Sequence, residues 1–337
     1  MKQEQPLGLG KQLIDPFGRE ITYLRLSVTD RCNLRCTYCM AEDMEFLPRA
    51  KVLTLEEMQQ IASAFVELGV KKIRLTGGEP LVRNGIIELV ESLSQLEGLN
   101  ELVMTSNGVL LKDFAQPLAN AGISRLNISI DSLQPDRFKS MTRFGVLENV
   151  LAGISAASKA GFKQIKLNSV ILQGVNDSEL IDLAQFALDG GMDISFIEEM
   201  PLGHISSHLR SDTTTASKSL REQLATRFSI EPSSKTTGGP SRYWKVKGYD
   251  NQIGFISPMT DNFCSNCNRV RLTTEGQLLL CLGNEHSLNL RDLIRRYPGD
   301  NERLKQGIVE AISRKPERHH FDPNDTQILR FMSATGG

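Results

Sequence analysis

The chain has 337 residues, of which 39 are basic and 40 acidic, giving a formal net charge of −1; six are cysteines. That length can bury a sizeable core in one large domain or in one domain with a smaller appendage, and so even a balance of charge disfavours a general role on nucleic acid or on an anionic membrane surface. After Met1 the chain runs Lys-Gln-Glu-Gln-Pro with no apolar leader, and no later stretch approaches eighteen consecutive apolar residues, so a cytoplasmic protein without a membrane span is expected.

Strand-like runs at residues 23–28, 72–76, 101–106, 125–130, 164–171 and 194–198 alternate with helical patterns. The clearest of these covers 54–68, where Thr54 and Glu57 have capping-box spacing ahead of an apolar stripe. Six such units in series predict a parallel sheet with crossover helices. Alternate residues of a strand point to opposite faces. Leu24 and Leu26 therefore oppose Arg25 and Ser27, and Ile73 and Leu75 oppose Arg74 and Thr76. Likewise Leu126, Ile128 and Ile130 oppose Asn127, Ser129 and Asp131, and Ile165 and Leu167 oppose Lys166 and Asn168. A doubly wound sheet is apolar on both faces. One apolar and one polar, basic face instead predict an α/β fold of the incomplete TIM-like (β/α)6 barrel type, with its helices outside and a ligand in the lumen. Thr29-Asp30-Arg31-Cys32, Gly77-Gly78-Glu79-Pro80, Asn107-Gly108 and Asp131-Ser132 each follow a strand, where such barrels carry their chemistry. Residues 203–240 turn rich in Ser, Thr, Lys and Gly and read as a mobile connection. The barrel is then expected over 1–235 and a smaller C-terminal α+β unit over 236–337, with a turn at Glu275-Gly276 and helices near 288–296 and 302–314.

The cysteines form two sets of three, Cys32, Cys36, Cys39 and Cys264, Cys267, Cys281, separated by more than two hundred cysteine-free residues. In a reducing compartment such close sets suggest metal thiolates rather than disulfides. The first set, C-x3-C-x2-C on one loop, offers soft ligands suited to an iron-sulfur cluster or to zinc. Three ligands on a four-iron cube leave one iron open to an external molecule, whereas a structural zinc site needs a fourth ligand. The second set, C-x2-C-x13-C, is also one ligand short, and His286 is the only histidine near it. Arg269 and Arg271 follow Cys267 on one strand face and suit phosphate oxygens; a solvated basic edge is the plainer alternative.

The cysteine spacing, Tyr38 before the last cysteine, and Gly77-Gly78-Glu79-Pro80 together resemble the radical S-adenosylmethionine superfamily. Leu24-Arg25-Leu26-Ser27 leading into Thr29-Asp30-Arg31-Cys32-Asn33, with Phe263-Cys264-x2-Cys267-Asn268-Arg269-x-Arg271, narrows this to its GTP 3',8-cyclase family over nearly the whole chain. The resemblance implies two 4Fe-4S clusters. One, on Cys32, Cys36 and Cys39, would cleave S-adenosylmethionine, with Tyr38, Gly78, Ser129 and Met200 lining that cofactor. The other, on Cys264, Cys267 and Cys281, would hold the guanine of GTP. Arg25, Arg74, Thr105, Lys166, Arg269, Val270 and Arg271 would hold the nucleotide, largely its triphosphate, and Arg269 and Arg271 are also candidate catalytic residues. The implied reaction is hydrogen abstraction from ribose C3' by a 5'-deoxyadenosyl radical, then C3'–C8 bond formation to 3',8-cyclo-7,8-dihydro-GTP, the first step of molybdenum cofactor biosynthesis. An external one-electron reductant, a homodimer, and a cyclic pyranopterin monophosphate synthase to take the product are implied as well, as is an active-site role for the Gly336-Gly337 tail.

The chain departs from the family at Ser195, where many members have arginine; Arg210 is the nearest candidate replacement in sequence. The competing readings are a radical enzyme that modifies peptides and a non-catalytic metal-binding protein. His204, His208, His319 and His320 have no ligand spacing with the cysteines, and Trp244 reads as packing.

Overall fold

The computed structural model describes residues 12–203, 215–284, 287–319, 321 and 332–335. The first helix forms where its sequence pattern asks for it. Thr54 Oγ1 accepts the Glu57 N–H at 3.2 Å while Glu57 returns a bond to the Thr54 N–H at 2.8 Å, closing the capping box of α1 (Leu55–Glu67), whose Met58, Ile61, Phe65 and Val66 are buried. Thr54→Ala removes that bond and is expected to cost about 1 kcal/mol, read as a shifted urea midpoint at unchanged slope.

The strands alternate with helices in the order β1 (Tyr23–Ser27), α1, β2 (Lys72–Thr76), α2 (Ile86–Ser94), β3 (Glu101–Ser106), α3 (Leu111–Ala121), β4 (Arg125–Ser129), α4 (Pro135–Thr142), α5 (Leu147–Lys159), β5 (Gln164–Val170), α6 (Leu180–Asp189) and β6 (Asp193–Ile197). Neighbours β1 to β6 pair in parallel, as six βα units require. The apolar parity face, Leu24, Leu26, Ile73, Leu75, Leu126, Ile128 and Leu167, is buried in one core with the apolar stripes of the helices.

Beyond β6 lie α7 (Ser217–Ala225), β7 (Ile230–Pro232), β8 (Arg242–Val246), β9 (Gln252–Ile256), β10 (Arg269–Leu272), β11 (Gln277–Leu279), β12 (Ser287–Asn289), α8 (Leu290–Arg296), α9 (Asn301–Ile312) and the turn α10 (Met332–Thr335). The stretch read as an irregular connection over 203–240 is therefore partly regular. Leu220, Leu224 and Phe228, spaced four apart, bury one side of α7 and its exit, a periodicity that the Ser/Thr-rich surroundings obscured.

All strands form one sheet in the order β12-β11-β10-β1-β2-β3-β4-β5-β6-β9-β8-β7. The segment after residue 236 thus adds strands to both edges of the six-stranded array. β9 runs parallel to β6 and β10 parallel to β1, giving eight parallel strands. Because β9 and β10 are consecutive yet sit at opposite edges, residues 257–268 cross from one edge to the other, and Cys264 and Cys267 lie on that crossing. Trp244 packs edge-on against Phe255, 5.0 Å between centroids. Among the described residues no helix is long and apolar enough to cross a membrane.

Candidate active site

The polar parity face lines a single cavity, and register stacks it in layers. At the strand starts Tyr23 lies between Arg269 on β10 and Lys72 on β2; one step up, Arg25 lies between Arg271 and Arg74; at the top Ser27 faces Thr76. Thr105 is level with Asn127, and Asn127 with Lys166. The first cysteine set follows the C-terminal end of β1, while Cys267 precedes β10 beside the N-terminal end of β1. The two sets therefore stand at opposite ends of the lumen, and all six cysteines line it. Tyr38, Gly78, Ser129 and Met200 line it as well, as do Arg25, Arg74, Thr105, Lys166, Arg269, Val270 and Arg271.

At the upper end, residues 77–79 run against 29–31: the Gly78 N–H donates to Thr29 O and the Glu79 N–H to Arg31 O, both at 2.8 Å. A Cβ on Gly77 would lie 2.3 Å from Thr29 O, and one on Gly78 2.3 Å from Arg31 O, so glycine is required by the approach of two backbones. The Glu79 carboxylate accepts from the N–H groups of Leu81 and Asn107 and from Ser106 Oγ, although burial pushes it up to about 7. Asn107 Nδ2 donates to Asn33 Oδ1 at 2.7 Å and lies 3.7 Å from Cys32 Sγ. Tyr38 Oη donates to Asp131 Oδ2 at 2.6 Å, and burial raises Asp131 to about 6.

The middle and lower layers hold buried cations. Arg74 donates Nε to Tyr23 Oη at 2.5 Å and a terminal nitrogen to Thr105 Oγ1 at 2.9 Å. Lys166 Nζ donates to Tyr243 Oη at 2.9 Å. Burial and then repulsion from Arg25 and Arg269 hold the Arg271 guanidinium well below its ordinary value. For Tyr23 burial acts upward, but Arg74, Arg25 and Lys72 together outweigh it and bring the phenol down to about 7. Two phenols thus face three buried cations, Lys72, Arg74 and Lys166, with Arg25, Arg269 and Arg271 half-buried beside them; Glu101 pairs with Lys72 at 2.7 Å, and the remaining excess of positive charge is costly unless an anion enters.

Tyr23, Lys72 and Tyr243 were missed by the sequence reading. Tyr23 and Lys72 share strand parity with Arg25 and Arg74, a signal that was present; Tyr243 arrives on β8, and nothing local marks it. Ser195 is fully buried, its Oγ 2.7 Å from Ser241 Oγ, beside Gly254, where a Cβ would lie 2.5 Å from Ser195 Oγ. Arg210, His204, His208, His286, His320 and Gly336-Gly337 lie outside the described residues. The residues just before that tail do reach the lumen: Met332 and Ser333 line it, and Arg271 donates to Thr335 O at 3.3 Å.

The site fits the groups that the cysteines imply. Two sets of three soft donors face one space, a glycine cradle abuts one of them, and Asn127 Oδ1, Asn168 Oδ1 and Arg269 Nε, on residues lining the lumen, are buried without a hydrogen-bond partner. Such atoms call for an explanation, and a bound polar ligand is one.

Comparison with known proteins agrees. The Radical SAM superfamily model matches residues 26–187 and the Molybdenum Cofactor Synthesis C model residues 192–321. A protein of Ectopseudomonas mendocina named GTP 3',8-cyclase is 56% identical over 327 residues, covering 97% of this chain and 99% of its own. One of the same name from Saccharophagus degradans is 56% identical over 326 residues, covering 96% and 98%. Among solved structures, Streptococcus suis SuiB bound to S-adenosylmethionine superposes with a TM-score of 0.63 at 14% identity, covering 94% of this chain and 78% of that one, a likeness of fold alone. With its two cysteine triads at the ends of one basic lumen and these relatives along almost its whole length, the chain belongs to the GTP 3',8-cyclase family of the radical S-adenosylmethionine superfamily.

Proposed function

We propose that the protein is the GTP 3',8-cyclase of molybdenum cofactor synthesis, with residues 1–235 generating the radical and 236–337 completing the nucleotide site. The observation that carries this is the band of buried cations between the two cysteine sets. Cys32, Cys36 and Cys39 would hold a four-iron cluster that, with S-adenosylmethionine and one electron from an external reductant, would supply methionine and a 5'-deoxyadenosyl radical; loss of the C3' hydrogen of GTP to that radical, C3'–C8 bond formation and gain of one electron and one proton would then give the cyclised nucleotide.

The chain's own residues hold and orient. Tyr38, Gly78, Ser129 and Met200 seat S-adenosylmethionine at the upper end of the lumen. Arg25, Arg74, Thr105, Lys166, Arg269, Val270 and Arg271 seat the nucleotide, the guanidiniums meeting phosphate oxygens in paired fashion. Cys264, Cys267 and Cys281 would hold the second four-iron cluster, which would supply a contact for the guanine at that end of the lumen. Electrons come from an external one-electron reductant. The product passes to a cyclic pyranopterin monophosphate synthase, and the protein acts as a homodimer in the cytoplasm.

The test is anaerobic incubation of the reconstituted protein with GTP, S-adenosylmethionine and dithionite. Formation of 5'-deoxyadenosine together with cyclised GTP is expected; 5'-deoxyadenosine with GTP unchanged would overturn the cyclase reading and leave only the superfamily chemistry.

A proton accompanies the nucleotide. Tyr23 is held near 7 by Arg74, Arg25 and Lys72, burial opposing them, against about 10 in the unfolded chain. Its phenolate therefore adds stability that is full above pH 10 and is lost as the pH falls through about 7. A triphosphate that engages Arg25 and Arg74 weakens their hold on the phenol, which then regains its proton. At pH 8, GTP binding is expected to take up more protons in the wild type than in Tyr23→Phe, measured by calorimetry in two buffers of different ionisation enthalpy. Equal uptake in the two proteins would refute the linkage.

A further inference from the structure

Two buried cations outside the lumen converge on the loops that carry the second cysteine set. Arg19 belongs to a short hairpin ahead of β1, closed by an Ile14–Glu20 bridge and by Asp15, which takes the Phe17 and Arg19 N–H groups and pairs with Arg19 Nε at 2.5 Å. The rest of its guanidinium donates to Cys264 O at 2.8 Å, Glu317 O at 2.6 Å and Pro316 O at 2.6 Å. Lys315, 2% exposed, donates Nζ to Arg269 O at 3.1 Å and to Leu280 O. Among the described residues no carboxylate lies within ion-pair distance of it.

The position of Lys315 is informative. The β10–β11 ladder pairs Leu272 with Leu278 and Arg271 with Leu279; continued, it would bring Val270 opposite Leu280 and Arg269 opposite Cys281. The ladder stops instead, and the Lys315 ammonium takes the carbonyls of Arg269 and Leu280. The strand pairing thus ends, and the Lys315 bonds take over, beside the ends that carry Cys267 and Cys281. All three ligand segments are thus tied by a cation: Cys264 by Arg19, and the Cys267 and Cys281 strands by Lys315. An ammonium buried against carbonyls alone is expensive. Once a cluster is held, the Cys267 and Cys281 thiolates, on the two segments that Lys315 ties, would supply the negative charge it faces.

We infer that Arg19 and Lys315 are positioning residues for the second iron-sulfur cluster: they fix the spacing of its three ligand segments and supply the positive charge that its thiolates face. This rests on the reading that Cys264, Cys267 and Cys281 hold that cluster. Outer partners of this kind tune metal affinity and potential.

The test uses the full chain with Cys32, Cys36 and Cys39 replaced by serine, so that only the second cluster is loaded. Iron and sulfide per chain, iron retention against a chelator, and the midpoint potential by EPR-monitored titration are measured with and without Lys315→Met. Iron retention is expected to fall roughly 10- to 100-fold, and whatever cluster remains is expected to have a lower potential, because a positive charge has been removed. Lys315→Gln keeps a hydrogen-bond donor without the charge; it should retain iron better than Lys315→Met yet show the same direction of potential shift, and it serves where the methionine variant fails to fold. Arg19→Lys should weaken iron retention with a smaller change in potential. Unchanged retention and potential in folded Lys315→Met, or in Lys315→Gln in its place, would overturn the inference. Absence of any cluster in the Cys-to-Ser parent would instead overturn the reading of the second triad.

Discussion

Gly78→Ala is expected to lower 5'-deoxyadenosine formation by on the order of 100-fold, the penalty for a misplacement near 1 Å at reacting groups. The Cβ it adds would lie 2.3 Å from Arg31 O, 2.6 Å from Arg31 C and 2.9 Å from Asp30 O. All three are backbone atoms, so no side chain can swing aside. One of two parallel segments must move, and the segment at risk is the one that delivers Cys32. Overpacking against backbone is also expected to cost about 3 kcal/mol in stability. Gly77→Ala should be worse, because the Cβ would meet Thr29 O at 2.3 Å and φ is +151°, a conformation that L side chains rarely adopt. The measurements are iron content, 5'-deoxyadenosine yield and denaturant unfolding. Full cleavage activity in folded Gly78→Ala would remove this account of the glycine pair.

Arg271→Met is expected to move stability and binding in opposite directions. Arg271 is half-buried beside Arg25 and Arg269, and its partial removal from water and then the two like charges hold it well below its ordinary value. Replacing a whole buried ion pair or triad by apolar side chains of similar volume is often neutral or stabilising by about 1–4 kcal/mol, and for one half-buried cation crowded by like charges the gain is at the low end; the loss of its bond to Thr335 O offsets part of that. Loss of a charge-assisted contact to phosphate removes about 1.5–3 kcal/mol of binding, roughly a ten- to hundred-fold weaker affinity for GTP. The variant should therefore melt at the same or a higher temperature without nucleotide, bind GTP poorly, and bind S-adenosylmethionine as before. Arg269→Ala should likewise impair nucleotide binding more than S-adenosylmethionine binding. A lower melting temperature in the nucleotide-free Arg271→Met protein, with GTP affinity unchanged, would show that the cation serves the fold rather than the ligand.

The strands were legible to within a residue or two because each alternates one apolar and one polar side, and a strand in a half-filled barrel must. The lumen cations were legible for the same reason: Arg25, Arg74 and Lys166 stand at inward parity between residues that the core claims. The two cysteine triads needed no fold at all, since close spacing of soft donors is itself the signal. What local sequence did not show is what comes from afar. Tyr243 meets Lys166 across 77 residues and Arg19 meets Cys264 across 245, and neither pairing leaves a periodic trace in either segment. The helix at α7 was hidden by its Ser- and Thr-rich flanks, although its leucines were in register.

The sequence by itself determined the chemistry available to this protein: six thiols in two open triads, a glycine pair closing the second strand, and a row of cations on the polar face of parallel strands. It determined these because spacing and parity are local properties. Tertiary structure alone decided that the triads face each other along one lumen. That follows from β9 and β10, consecutive in the chain, pairing at opposite edges of the parallel array, so that the loop between them carries Cys264 and Cys267 to the end of the lumen opposite the first triad, where β11, antiparallel to β10, delivers Cys281. Strand pairing at a distance depends on the whole sheet's hydrogen bonds and core, and no window of sequence contains them.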